Sequence, residues 1–306
     1  MLTRVLARSL GGFGVGLAVA SITVTLTYVV PGDPARTMAG PQADAATVAR
    51  IHAQLGLDDP VWWRFGRYVW NALQGDLGRS FLTDQPVLPA ILERLPATAL
   101  LALGAVVVYV ALGGALGVLG AVRAGSSADR LGSGLALAGL SVPSFWIGLV
   151  LLYLFAYRFP LFPLGGAETL SHLVLPALTL GIAGAATYTR VLRQTLGEEL
   201  HKDYIRAARA RGLSEPRVVL EHGLRNAALP LVTLLGLDFA GLLGGAVLTE
   251  SIFAWPGIGQ QAYQAIATLD VPMIMGTVLV SATGIIIVNA VVDGLYRWLD
   301  PRLRQP

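Results

Sequence analysis

Among the apolar stretches of this chain one carboxylate stands alone. Asp238 lies in the run from Asn226 to Thr249, which holds no other charge. An ionised group in hydrocarbon is costly, so it faces a cavity or a partner that bonds to it. Two readings stay open at this point: Asp238 lines a path and meets a substrate amine, or it hydrogen-bonds across helices. Asn289 and Asp293 repeat the theme in the last apolar run, with Asp293 better suited to a packing or helix-end contact. Glu250, just past the fifth run, is open in the same way as Asp238. Gly241, Gly244 and Gly245 suit close helix contact more than ligand binding. Other chemistry is excluded or unsupported. There is no cysteine, so no disulfide, thiolate metal site or cysteine nucleophile exists. The histidines, His52, His172, His201 and His222, are scattered, and no metal site is expected. No paired carboxylates or base-nucleophile arrangement points to an enzyme.

The second patterned region is the segment HKDYIRAARARGLSEPRVVLEHGLRNAALP over 201–230. Ile205, Ala208 and Leu213 form a small apolar face among arginines. Gly212 predicts a helix end. Ser214-Glu215-Pro216 predicts a new helix, with serine as its cap and proline in its first turn. Two short helices at an angle make a knob. A basic loop attracted to anionic lipid is the plainer reading. Five acids, Glu198, Glu199, Asp203, Glu215 and Glu221, dilute its charge, so a protein-docking element accounts for it better. The chain cannot drive a machine by itself. Its single lysine, Lys202, follows Leu200-His201 and not Gly-x-x-x-x-Gly, so the phosphate loop of an ATPase is missing.

What must position these residues is a set of membrane spans. Of 306 residues, 54% are hydrophobic and 13% charged, against about 25% charged in soluble domains. Uncharged or nearly uncharged stretches run from Arg8 to Asp33, Arg94 to Arg123, Arg130 to Arg158, Glu168 to Arg190, Asn226 to Thr249 and Asp270 to Asp293. Each reaches the length of about 20 residues that crosses hydrocarbon as a helix. Six transmembrane helices are therefore expected. The first resembles a signal peptide around Ala18-Val19-Ala20, but its apolar run continues to Val30, which predicts an uncleaved anchor. Basic residues mark cytoplasmic loops. Arg4 and Arg8, Arg123 and Arg130, the segment 190–225, and Arg297, Arg302 and Arg304 fall on one side. Both termini are expected in the cytoplasm. Segment 31–95 and the loops near 158–172 and 250–275 are expected outside. The net charge of +3 is too small to imply nucleic acid. In 31–95, Pro31-Gly32-Asp33-Pro34 predicts a turn and 43–55 a helix. Trp62, Trp63, Phe65, Tyr68 and Trp70 suggest interfacial anchoring more than sugar or peptide binding.

With those elements in place, the chain resembles the permeases of ABC importers, in their peptide/nickel branch. Tyr204, Arg206, Ala208, Arg209, Gly212 and Leu213 fit that branch's coupling-loop pattern, Tyr-x-Arg-x-Ala-Arg-x-x-Gly-Leu. Arg206-Ala207-Ala208 takes the place of the Glu-Ala-Ala triplet. Gly56-Leu57-Asp58, Gly75-Asp76-Leu77-Gly78, His222-Gly223-Leu224-Arg225-Asn226, Phe253-Ala254-Trp255-Pro256-Gly257 and Leu299-Asp300-Pro301-Arg302 extend the likeness over the whole chain. PGDPARTMAGPQADA and HGLRNAALP look like the dipeptide and glutathione permeases.

The resemblance implies an all-α membrane protein of type I importer permease architecture. Its first cytoplasmic stretch and span cover 1–30, its extracytoplasmic segment 31–95, and its five-span core 96–306, with a cytoplasmic coupling loop at 197–228. It implies a bacterial inner-membrane location, a second homologous permease, two ATPase subunits that hold ATP and magnesium, an extracytoplasmic solute-binding protein and a peptide substrate. Tyr204, Arg206, Ala207, Ala208, Arg209, Gly212, Leu213 and Glu215 are the expected ATPase-coupling residues. Asp238 and Asn289 are the expected path residues. A nickel or nickel-chelate importer is the rival within the family, although nickel prefers imidazole and no histidine cluster offers it. A secondary transporter would need ion-coordinating groups at mid-membrane, with repeats and broken helices. One aspartate is thin support for that.

Overall fold

A computed structural model describes residues 34–40, 42–54 and 58–299, together with Ala18 and Ser21. The first expected span and the Pro31-Gly32-Asp33 turn lie outside these residues, apart from Ala18 and Ser21, which are helical. Among the described residues the chain is all helix, with one isolated bridge between Arg79 and Pro86. In chain order the helices are α1 Pro34–Ala39, α2 Ala45–Gln54, α3 Val61–Leu73, α4 Val87–Val122, α5 Ser127–Ser141, α6 Ser144–Arg158, α7 Leu170–Leu200, α8 Asp203–Ala210, α9 Glu215–Ala227, α10 Leu229–Leu243, α11 Val247–Ile252, α12 Ile258–Ala267 and α13 Val271–Leu299.

Three of these are long and apolar enough to cross a membrane by themselves: α4, α7 and Val271–Val292 of α13. Two bent pairs raise the number to as many as five. Helix α5 meets α6 at 101°, and α9 meets α10 at 55°. The stretch from Arg130 to Arg158 is thus two helices and not one straight span. Pro143 explains the break: it offers no N–H, and it drives Val142 into an extended backbone. Helix α7 runs ten residues past Arg190, so the fourth apolar stretch continues into an amphiphilic extension.

The chain forms two compact units. The first contains residues through Thr98, Leu243–Ser251 and Pro256–Ile287. Its core gathers Leu77, Val87, Ile91, Ile258, Ala265 and Met273. A side chain at Gly276 would run into Val87, so only glycine lets α13 approach α4 this closely. Asp270 caps α13, accepting from the backbone N–H of Met273 at 3.4 Å. The same carboxylate accepts from the Ser80 hydroxyl and from the Phe81 N–H at 3.0 Å, which ties the 75–86 loop to the start of α13.

The second unit contains Ala99–Leu242, Ile252–Trp255 and the chain from Val288 onward. Helix α7 is its axis. A Cβ at Gly113 would sit 2.6 Å from the Tyr188 Cβ, and one at Gly117 would sit 2.8 Å from the Leu192 Cβ. Glycines on α4 therefore let α4 and α7 touch along their backbones, which is how helices associate where lipid gives no hydrophobic drive. At the N-terminus of α5, Ser126 accepts from the Asp129 N–H at 3.2 Å. Asp129, buried, accepts from Arg193 of α7 through Nε at 2.5 Å and Nη2 at 2.9 Å. This two-pronged pair fixes the start of α5 against the end of α7.

Candidate functional site

The knob expected from the sequence is present. Helix α8 ends at Ala210, and two residues on Gly212 has a φ of +78°, a left-handed conformation glycine adopts without strain. Helix α9 starts after Ser214 with Pro216 in its first turn. Ser214 makes no side-chain cap bond; the proline sets the start instead. A π turn at Val218–Gly223 rotates the helix so that Val218 and Val219 both point inward.

The knob has a core of its own. Ile205 and Ala208 of α8, Val218 and Val219 of α9, and Ala227 pack on Leu192, Leu196 and Leu200 of α7, with Leu213 and Leu224 at the edge. Ile205 and Val218 are fully buried. Thr195 strengthens the joint by donating to the Ala227 carbonyl at 3.0 Å. A glycine at 223 matters here, because a Cβ there would press on Leu196 and Leu200. The knob is thus rigidly fused to the end of α7.

Of the expected coupling residues, Ala208 and Leu213 face this core, whereas Arg206, Ala207 and Glu215 face out. Arg206 pairs with Asp203. Arg209 pairs with Glu215 through Nε at 2.7 Å and Nη2 at 3.2 Å, bridging α8 to α9 across the Gly212 turn. Tyr204 is the third strut. Its hydroxyl donates to Glu199 of α7 at 2.6 Å and accepts from Asn226 of α9 at 3.0 Å. Partial burial, and then this bond to Glu199, hold the Tyr204 phenol above its usual range. Lys202 also donates to Glu199, at 2.5 Å, and its ammonium is held above the usual range by that carboxylate. What remains on the outer surface is Arg206, Ala207, Arg211, Arg217 and the exposed Leu220.

The expected path residues lie elsewhere in the second unit. Asp238 of α10 is bonded: Oδ2 accepts from the Tyr188 hydroxyl of α7 at 2.7 Å. Tyr188 stacks on Tyr109 of α4, with ring centroids 5.2 Å apart. The Asn289 Oδ1 of α13 is buried with no hydrogen-bond partner among the described residues. The side chain of Asp293 lies outside what the structure describes.

Sequence reasoning left Glu250 undecided, and the structure gives it a role. It is fully buried. Its Oε1 accepts from the Thr98 hydroxyl at 3.0 Å, and its Oε2 from the Gln260 N–H at 2.9 Å. Thr98 in turn accepts from the Ile258 N–H at 2.8 Å. The carboxylate thus holds the N-terminus of α12, where free N–H groups and the helix dipole favour an anion. Gly257 and Gly259 make room, since a Cβ at either would run into the carboxylate. The signal was in the spacing: a glutamate seven and nine residues before the two glycines of Pro-Gly-Ile-Gly. Among the described residues, no three His, Cys, Asp or Glu side chains are grouped to hold a metal.

Residues 113–305 match the family described as binding-protein-dependent transport system inner membrane component, and 1–102 match its N-terminal counterpart. The glutathione transport system permease protein GsiC of Salmonella paratyphi A is 41% identical over 304 residues, covering 99% of both chains. GsiC of Escherichia coli K12 is 40% identical over the same coverage. A chain from inward-facing crystal structures of the MetNI methionine ABC transporter shares the fold, at TM-score 0.59 and 20% identity, over 71% of this chain and 99% of that one. A second crystal form matches at TM-score 0.53 and 18% identity. The chain belongs to the family of binding-protein-dependent inner-membrane transport components. It is the multi-pass permease of an ABC importer and not a catalytic subunit.

Proposed function

We propose that this chain carries di- and oligopeptides, including glutathione-like peptides, across the bacterial inner membrane. In this reading a solute-binding protein delivers the peptide, a second homologous permease completes the path, and two ATPases bind ATP and magnesium. Six spans place both termini in the cytoplasm, with 31–95 outside and 197–228 inside. Full-length identity to glutathione permeases supports the substrate class. Asp238 and Asn289 line the path.

The observation that carries the mechanism is the fused knob. Its core joins α8 and α9 to the end of α7, while Arg206, Ala207 and Arg211 stay exposed. Seated in a groove of an ATPase, such a knob moves as one body with α7. Closure of the ATPases on ATP then shifts the spans between inward and outward states, a ligand-biased two-state switch. The test is ATPase activity of the complete complex in lipid, with and without binding protein and glutathione or dipeptides. Stimulation that needs both is expected. Stimulation by nickel or a nickel chelate alone would assign the chain to the rival substrate.

A further inference from the structure

We propose that helix α3 is an interfacial anchor whose tryptophan face lies in the headgroup boundary of the bilayer, at the end where α13 begins. The partner is lipid, and the proposal holds whichever solute the chain carries.

The first observation is how α3 divides its surface. At about 100° per residue, Trp62, Leu73, Gly66, Trp70 and Trp63 fall in that order within an arc of about 100°. Trp62, Trp63, Trp70 and Leu73 are each between 66% and 73% exposed, so no element among the described residues covers this arc. The next arc is polar and carries Arg67, Asn71 and Arg64. Arg67 is exposed and pairs with Asp59. The third arc carries Tyr68, Ala72, Phe65 and Val69, all half-buried. The helix thus presents one flank to protein, one to water and one, rich in indole, to neither.

The second observation is where α3 is held. Ala72, in its last turn, packs on the core that contains Val87 and Met273. The loop that follows stays beside the start of α13: a Cβ at Gly78 would lie 4.0 Å from Cβ of Pro272. Helix α13 begins at Val271, and from there to Val292 it is apolar and long enough to cross a membrane. The C-terminal turn of α3 is therefore level with the first turn of a span. Indole suits that level, because its ring is apolar and its N–H needs a wet acceptor. A protein that docks and leaves would return three indoles to water at each departure, an exposed patch of the kind soluble surfaces avoid. Lipid is always present. Amphipathic helices with tryptophan on the apolar face bind bilayers in this way.

The experiment compares two neighbouring positions in the complete transporter in lipid. Gly66→Cys places a thiol at the centre of the tryptophan arc, where open space surrounds it. Arg67→Cys places one on the polar arc at the same height. Each is labelled with a polarity-sensitive fluorophore, and the wild-type complex, in which this chain has no thiol, gives the background. Lipids brominated on their acyl chains are then introduced. The probe at 66 should emit at shorter wavelength and lose most of its emission, while the probe at 67 should lose little. Equal quenching at both positions, or none at 66, overturns the proposal. A probe at 66 that escapes lipid quenching but shifts when binding protein is added would assign the face to that protein instead. A label-free measurement checks the same point: wild-type tryptophan emission minus that of the combined Trp62→Phe, Trp63→Phe and Trp70→Phe variant should be quenched by the brominated lipid, and an unquenched difference contradicts the anchor. Quenching needs no transport, so a failure of the peptide reading leaves this result standing.

Discussion

Two polar constructions, the α8–α9 knob and the Glu250 cradle, are built on opposite principles. In the knob, the ion pairs Arg206–Asp203, Arg209–Glu215 and Arg217–Glu221 join residues three to six apart and stand in solvent. Such pairs are worth about 0–1 kcal/mol each. The knob holds its shape through apolar packing, and its charges remain free to exchange partners. In the cradle, one carboxylate with no exposure joins Thr98 to Gln260, groups 152 and 10 residues away. Those bonds have no water to replace them. The difference separates a solvent-facing surface, which we propose engages an ATPase, from a buried joint.

Breaking the cradle should have the largest effect. Glu250→Ala leaves the Thr98 hydroxyl and the Gln260 N–H buried without their acceptor, at about 1–3 kcal/mol each. We expect a sharp fall in the melting temperature of the purified complex and in its abundance in membranes. An unchanged melting temperature would erase the contrast with the knob. Next is Ile205→Asp, which places an unpaired carboxylate in the knob core against Leu196 and Val218. Because that core is shared with α7, a smaller fall in melting temperature than for Glu250→Ala is expected, together with loss of peptide-stimulated ATPase. Retained stimulated ATPase would remove the knob core from the coupling mechanism.

Gly212→Val sharpens the comparison further. Open space surrounds Gly212, so a side chain clashes with nothing. The cost is the left-handed backbone, about 1–2 kcal/mol for a residue with a Cβ. Stimulated ATPase and uptake should fall together while assembly persists, and normal values of both would remove the turn from the coupling mechanism. The smallest effect is expected for Arg217→Ala, whose pair with Glu221 is exposed; a stability change below about 0.5 kcal/mol should be found by thermal unfolding.

The knob was legible because its signals are local. Gly212, Pro216 and the apolar spacing of Ile205 and Ala208 lie within one short segment. Helix punctuation and periodicity read such segments well. The bend at Pro143 was missed because hydropathy runs unbroken through Leu140 and Phe145; composition reports where lipid is, not whether the helix is straight. Glu250 and Asp129 were not assigned because their partners, Thr98 and Arg193, are remote in sequence. A buried carboxylate and a solvated one look alike in a string of letters. Asp238 was singled out as a lone charge in an apolar run, but its bond to Tyr188 needed the fold to bring α7 beside α10.

The central claim is that the exposed face of the knob seats on an ATPase subunit. This chain contains no cysteine, so Ala207→Cys supplies its single thiol. The decisive measurement is cross-linking of that thiol in the assembled transporter, with Trp62→Cys, an exposed position outside the knob, as the control. The account predicts an adduct with an ATPase subunit from Ala207→Cys whose yield changes with ATP, and none from Trp62→Cys. An Ala207→Cys thiol that reaches no ATPase in any nucleotide state, in a complex that still transports, would contradict it.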